Sequence, residues 1–97
     1  MKEINFNTLE FKKVLDFLNL IKEEDRLKIL ILLNKKPYCV CELVEILKLP
    51  QNLISYHLKT LKDFNLLILK PKGRKNFYML NQKQLKKYLK LVNQIFN

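Results

Sequence analysis

At 97 residues, with 48% hydrophobic and 29% charged residues, one glycine and three prolines, the chain is too short for two separate cores and too apolar for a disordered tail. Its formal charge of +10 is lopsided: residues 1–47 carry eight Lys/Arg against eight Asp/Glu, whereas residues 48–97 carry eleven against the single acid Asp63. A basic half of this kind suits a polyanionic partner, because each cation set on a phosphate releases counterions; no apolar run reaches the ~20 residues of a membrane span, and Met1-Lys2-Glu3 opens no signal-peptide core, so a cytoplasmic protein without a membrane partner is expected.

The apolar spacing predicts a first helix from about Thr8 to Ile21, with Phe11, Val14, Leu15, Leu18 and Ile21 on one stripe. A second is predicted from about Glu24 to Asn34, where Glu23, Glu24 and Asp25 suit a positive helix N-terminus and Leu27, Leu30, Ile31 and Leu33 form the apolar face; Lys35-Lys36-Pro37 ends it. A short third helix runs from about Val40 to Leu47, with Leu43, Ile46 and Leu47 inward. The segment Lys48-Leu49-Pro50-Gln51-Asn52 then makes a turn into a fourth helix over about Asn52–Phe64, lined by Ile54, Leu58 and Leu61. Asn65 stands where a left-handed residue commonly closes a helix.

Two β-like runs follow, Leu66–Leu69 and Phe77–Leu80, around a basic loop that holds the only glycine, Gly73. A last helix over about Gln82–Phe96 carries Leu85, Tyr88, Leu89, Val92, Ile95 and Phe96 on one side. The expected fold is mainly α with a small β-hairpin, a single winged helix-turn-helix domain in the order α-α-α-α-β-β-α. Its two strongly apolar end helices have more surface than one small core hides, and they predict a homodimer through the first and last helices.

Two helices joined by a tight turn, followed by a basic hairpin, fit the reading of double-stranded DNA, one helix filling the major groove and the wing reaching the backbone beside it. Gln51, Asn52, Ser55, Tyr56 and Lys59 point away from the inner residues of the fourth helix, with Lys62 one turn on. Gln and Asn can pair with adenine edges, Ser and Tyr can bond phosphate, and Lys supplies charge. Lys70, Lys72, Arg74 and Lys75 flank Gly73 and repel one another unless an anion approaches. A solvated polar face, or a hairpin charged only against edge-to-edge pairing, is the plainer account of the same residues. His57 is set with the DNA-contact residues, in a phosphate-contact or a structural role, with metal ligation the weaker alternative. With no second histidine, no paired carboxylates in an apolar setting and no glycine-rich phosphate loop, no catalytic constellation is present and no cofactor is required. A protein-interaction module on the same scaffold is the rival class.

Asp25-Arg26-Leu27-Lys28-Ile29-Leu30, Cys39-Val40-Cys41-Glu42-Leu43 and Ile54-Ser55-Tyr56-His57-Leu58-Lys59-Thr60-Leu61 together resemble the second helix, metal box and recognition helix of the arsenic-repressor (ArsR/SmtB) family over about residues 24–80. The resemblance implies a homodimer that blocks a promoter and is released by an inducer. Cys39 and Cys41 can ligate soft metals or metalloids: arsenite, Cu(I), Cd(II), Hg(II) or Zn(II). Residues two apart on an α-helix diverge by about 200°, so both sulfurs converge only if the helix is not fully formed there; a place at its N-terminus allows this and is expected to lower a thiol pKa. The chain departs from the arsenic-sensing pattern in having Val44 where the third thiol is expected. Two thiolates could hold a linear ion, or arsenite with a small-molecule thiol, or oxidise reversibly; two small buried apolar residues, without any metal sensing, are the alternative.

Overall fold

The computed structural model describes residues 3–97. It contains α1 (Leu9–Ile21), α2 (Glu24–Lys35), β1 (Tyr38–Cys39), α3 (Val40–Leu47), α4 (Gln51–Asp63), β2 (Leu67–Lys72), β3 (Lys75–Leu80) and α5 (Gln82–Gln94). The helices start where side chains can satisfy the free amides of a first turn: Thr8 caps α1 through Phe11 N, Glu23 caps α2 through Arg26 N, and Asn81 caps α5 through Gln84 N. Asn65 ends the α4 segment in the left-handed region at φ 59°, as expected, and Leu66 N returns to the carbonyl of Leu61.

The core gathers Phe17 and Leu20 of α1, Ile29, Leu30 and Leu33 of α2, Leu43 of α3, Ile54, Leu58 and Leu61 of α4, and Leu66, Leu67 and Leu80 around the sheet. The inner face of α4 is the predicted one. On α1 the buried residues are Val14, Phe17 and Leu20, while Leu15 and Leu18 face outward. On α2 the buried face is Ile29, Leu30 and Leu33, with Leu27 and Ile31 exposed, and on α3 Ile46 is exposed. These helices are apolar on more than one side, so periodicity alone admits several faces and tertiary packing selects one.

The hairpin is longer than expected. Its ladder runs through the basic segment to the pair Lys72↔Lys75, so the connection is the two residues Gly73-Arg74 rather than a loop over 70–76. Gly73 has φ +63° while Arg74 does not enter the left-handed region, the pattern of a type II′ turn, whose twist matches that of the flanking strands. Pro71 is tolerated because β2 is an edge strand. The third strand, β1, was not expected; it pairs antiparallel with β3 through Tyr38↔Tyr78 and Cys39↔Phe77, giving the order β1-β3-β2. Across the molecule, Phe17 of α1 stacks on Tyr88 of α5 with centroids 4.8 Å apart and planes 3° from parallel.

Candidate nucleic-acid interface and thiol pair

The helix-turn-helix begins with α3, whose last residue is followed by Lys48 at φ 56°, a left-handed turn without glycine that redirects the chain into Leu49 and Pro50. The Pro50 carbonyl accepts from Leu53 and Ile54, which sets the first turn of α4. With Ile54, Leu58 and Leu61 fixed inward, the 3.6-residue period leaves Gln51, Asn52, Ser55, Tyr56, Lys59 and Lys62 exposed. Lys59 is tied only to Asp63, at 3.1 Å on the solvent side. Pairs of this kind are worth a few tenths of a kcal/mol, so the ammonium is free to leave it for a stronger anion.

Of the two roles expected of His57, phosphate contact and a structural one, the structure gives it the second. It lies at 4% exposure and turns toward the start of α2, where Nε2 stands 3.7 Å from Glu23 Oε2 and 4.0 Å from Asp25 Oδ2. Three residues before Thr60 and one before Leu58, it falls on the inner flank of α4, so its side chain serves the packing of α4 on α2. In the sequence Glu23 and Asp25 suit a helix N-terminus, and Asp25 opens the stretch that resembles the family's second helix; the fold alone brings them to the histidine.

Lys70, Lys72, Arg74 and Lys75 are all exposed. The register places Lys70 and Lys72 on one face of β2, with Lys75 of β3 directly opposite Lys72. Like charges directly opposite in an antiparallel pair destabilise it; residues 64–97 contain no acid, and of the wing cations Lys75 feels the carboxylate of Glu42 from α3.

Cys39 is the N-cap of α3, extended at φ −89° and ψ 168°, and Cys41 lies in the first turn. This is the interrupted helix start that convergence requires, and the two Sγ atoms are 2.7 Å apart. Glu42 Oε1 accepts the Cys39 amide at 3.0 Å and fixes the turn. The expected lowering of thiol pKa is not found at Cys39: burial, then the contact with Cys41, pushes this thiol above its ordinary value. The hydrogen bonds from Cys39, backbone first, in turn hold the Glu42 carboxyl below the usual range. A shallow cavity of about 260 Å³ opens on the pair and is lined also by Gln51, Lys75 and Tyr78, so it touches the start of the recognition helix and the wing at once.

As a test of fit, Zn–thiolate distances of about 2.3 Å put two sulfurs ~3.8 Å apart at a tetrahedral ion. The pair would have to open by ~1 Å, which the exposed Cys41 permits and the buried Cys39 resists. Because Cys39 is both a residue of β1 and the cap of α3, any such opening acts on the wing sheet and the helix-turn-helix together. Sequence reasoning missed this link, since a two-residue strand has no periodicity to read.

The sequence profile of the family described as bacterial regulatory protein, arsR family, matches residues 23–68. Over 85 residues the chain is 31% identical to the arsenical resistance operon repressor of Staphylococcus aureus, covering 88% of this chain and 82% of that protein. An ArsR-like transcriptional regulator from Rhodococcus sp. RHA1 superposes with a TM-score of 0.78 at 21% identity, over 88% of this chain and 80% of that one. The homodimeric winged helix-turn-helix DNA-binding domain Mb0332 from Mycobacterium bovis does so with a TM-score of 0.69 at 18% identity, over 98% of this chain and 89% of that domain.

Proposed function

The chain belongs to the arsR family of bacterial regulatory proteins and is a transcriptional regulator, not an enzyme; on that premise we propose that it acts in the cytoplasm, as a single winged helix-turn-helix domain, as a dimeric repressor released by a soft metal(loid) or thiol-reactive signal at Cys39 and Cys41. The observation that carries the DNA part is the cluster of exposed cations on one face of the wing, Lys70, Lys72 and Lys75, standing in the same half of the chain as the exposed polar flank of α4. Gln51 and Asn52 meet base edges, Ser55, Tyr56, Lys59 and Lys62 the flanking phosphates, and Arg74 with the three lysines the backbone beyond.

Dimerisation uses the apolar residues that α1 and α5 leave outside the core, Leu15, Leu18, Leu89 and Ile95. The Mycobacterium bovis domain, described as homodimeric, supports dimerisation. A two-fold axis then presents two recognition helices to successive major grooves, and the operator is an inverted repeat with half-sites about one helical turn apart. The arsenical resistance repressor of Staphylococcus aureus supports arsenite as the first inducer to try. Two cysteines leave one bond of trivalent arsenic for a small-molecule thiol. Opening of the sulfur pair strains the start of α3 and the β1–β3 ladder, which moves the wing away from the phosphates.

Fluorescence anisotropy with the DNA upstream of the gene tests both parts. Specific duplex is expected to bind at least about 10³-fold more tightly than random duplex at physiological salt. Arsenite should release it from the parent but not from the Cys39→Ser, Cys41→Ser double variant. Equal affinity for the two duplexes refutes the operator; an unchanged arsenite response in the double variant refutes the thiol switch.

A further inference from the structure

His57 has a buried imidazole that its own fold leaves unsatisfied. Nδ1 is buried with no hydrogen-bond partner, and Nε2 faces two carboxylates at 3.7 and 4.0 Å. A charge-assisted hydrogen bond from an imidazolium would bring a carboxylate oxygen to about 2.7–2.9 Å. The observed gaps are too wide for that. They match the separation of two ligands that share an ion: at metal–ligand distances of ~2.1 Å, ligand atoms stand ~3.4 Å apart at the tetrahedral angle and up to ~4.2 Å apart when opposed. The three candidate atoms, one each from Glu23, Asp25 and His57, lie within 4.8 Å of one another, so a small closure of the two carboxylates completes a three-ligand face.

We propose that Glu23, Asp25 and His57 form a binding site for a borderline divalent cation, Zn(II) foremost, separate from the thiol pair. One imidazole nitrogen and two carboxylate oxygens are the donor types such ions accept, and the partly exposed Glu23 and Asp25 leave room for water in the remaining positions. Two negative charges offset the positive end of α2, at which the ion would sit. The ion ties the first turn of α2 to the middle of the recognition helix. It therefore fixes α4 against the core from the side opposite the DNA face.

Full-length protein carrying Cys39→Ser and Cys41→Ser, which removes the thiols as competing ligands, is titrated with ZnCl2 in a calorimeter after metal removal. One Zn(II) per chain is expected. Loss of outer-sphere partners alone costs metal sites roughly 10- to 100-fold in affinity, so removing a ligand by Asp25→Asn or His57→Gln should cost at least that much. Zn(II) should raise the Tm of the thiol-free parent and leave that of Asp25→Asn unmoved. Co(II) should give visible d–d bands without the near-ultraviolet band of a thiolate. The Asp25 side chain is 23% exposed against 6% for His57, so Asn there keeps the fold even if His57→Gln does not. Absence of Zn(II) binding in the thiol-free parent, or equal affinity in Asp25→Asn, overturns the site. None of these readouts involves DNA, so the repressor assignment stands or falls separately.

Discussion

Cys39 and Cys41 differ by two positions and by opposite environments. Cys39 is 3% exposed and its thiol is pushed toward the protonated form, whereas Cys41 is on the surface. Only the thiolate reacts with alkylating agents, and only an accessible one does so at an ordinary rate. Brief iodoacetamide treatment at neutral pH should therefore label Cys41 at least about tenfold faster than Cys39, read by peptide mass spectrometry. The sign of the pH dependence follows from the raised Cys39 value: its labelling should keep climbing as pH passes the usual thiol range of about 8.5. Equal rates at neutral pH would show that the pair exchanges places and that burial does not distinguish its members. At this scale the sequence was informative where identity alone decides the outcome. Asn65 takes the left-handed cap that Asn tolerates better than other residues with a Cβ, and Ile54, Leu58 and Leu61 are inward because α4 is apolar on one side only. It misled where a residue suits two environments. His57 sits between exposed Tyr56 and buried Leu58, and only the arrival of α2 decides that it faces the core.

Among the elements, the wing was legible in outline and not in extent. Its glycine marked the turn, but a run of four cations with Pro71 looked like a loop because such residues are poor strand formers. They form strand because β3 is held on both sides, by β1 and by β2, and the ladder carries the edge along with it. The cost falls on the Lys72↔Lys75 pair, and it separates a functional charge from a structural one. Lys72→Glu replaces a like-charge cross-strand pair by an opposite one, a change worth roughly 0.2–1 kcal/mol in favour of folding. The same substitution removes a phosphate contact and adds repulsion. The variant is expected to melt at a higher temperature than the parent while binding operator more weakly, with the slope of log affinity against log salt reduced by about one. Thermal melting and a salt series of anisotropy titrations measure the two effects. A variant that gained stability and kept its DNA affinity would leave the wing lysines as guards against strand pairing.

At the scale of the whole molecule the chain is long for its size. Its radius of gyration is 15.6 Å and its extents are 59 × 23 × 19 Å, against a radius of about 13 Å for a compact domain of this length. The elongation leaves α5 without a single fully buried residue, although Leu85, Tyr88 and Val92 pack on the core and Phe17 stacks on Tyr88. An amphipathic helix that is only half covered by its own chain, next to an α1 that turns Leu15 and Leu18 outward, has an unfinished face. The apolar stripe of α5 could be read from its spacing, but its division into a half that meets the core and a half that does not depends on where α1 lies. If a second copy finishes that face, Leu18→Glu with Leu89→Glu should give a folded monomer by sedimentation velocity, since both side chains are already at the surface. The variant should retain binding to a single half-site. It should lose the gain that comes from tethering two recognition helices, roughly 10²- to 10⁴-fold in affinity for the full inverted repeat. A variant that still sediments as a dimer would move the interface away from α1 and α5, and with it the half-site spacing that those helices impose.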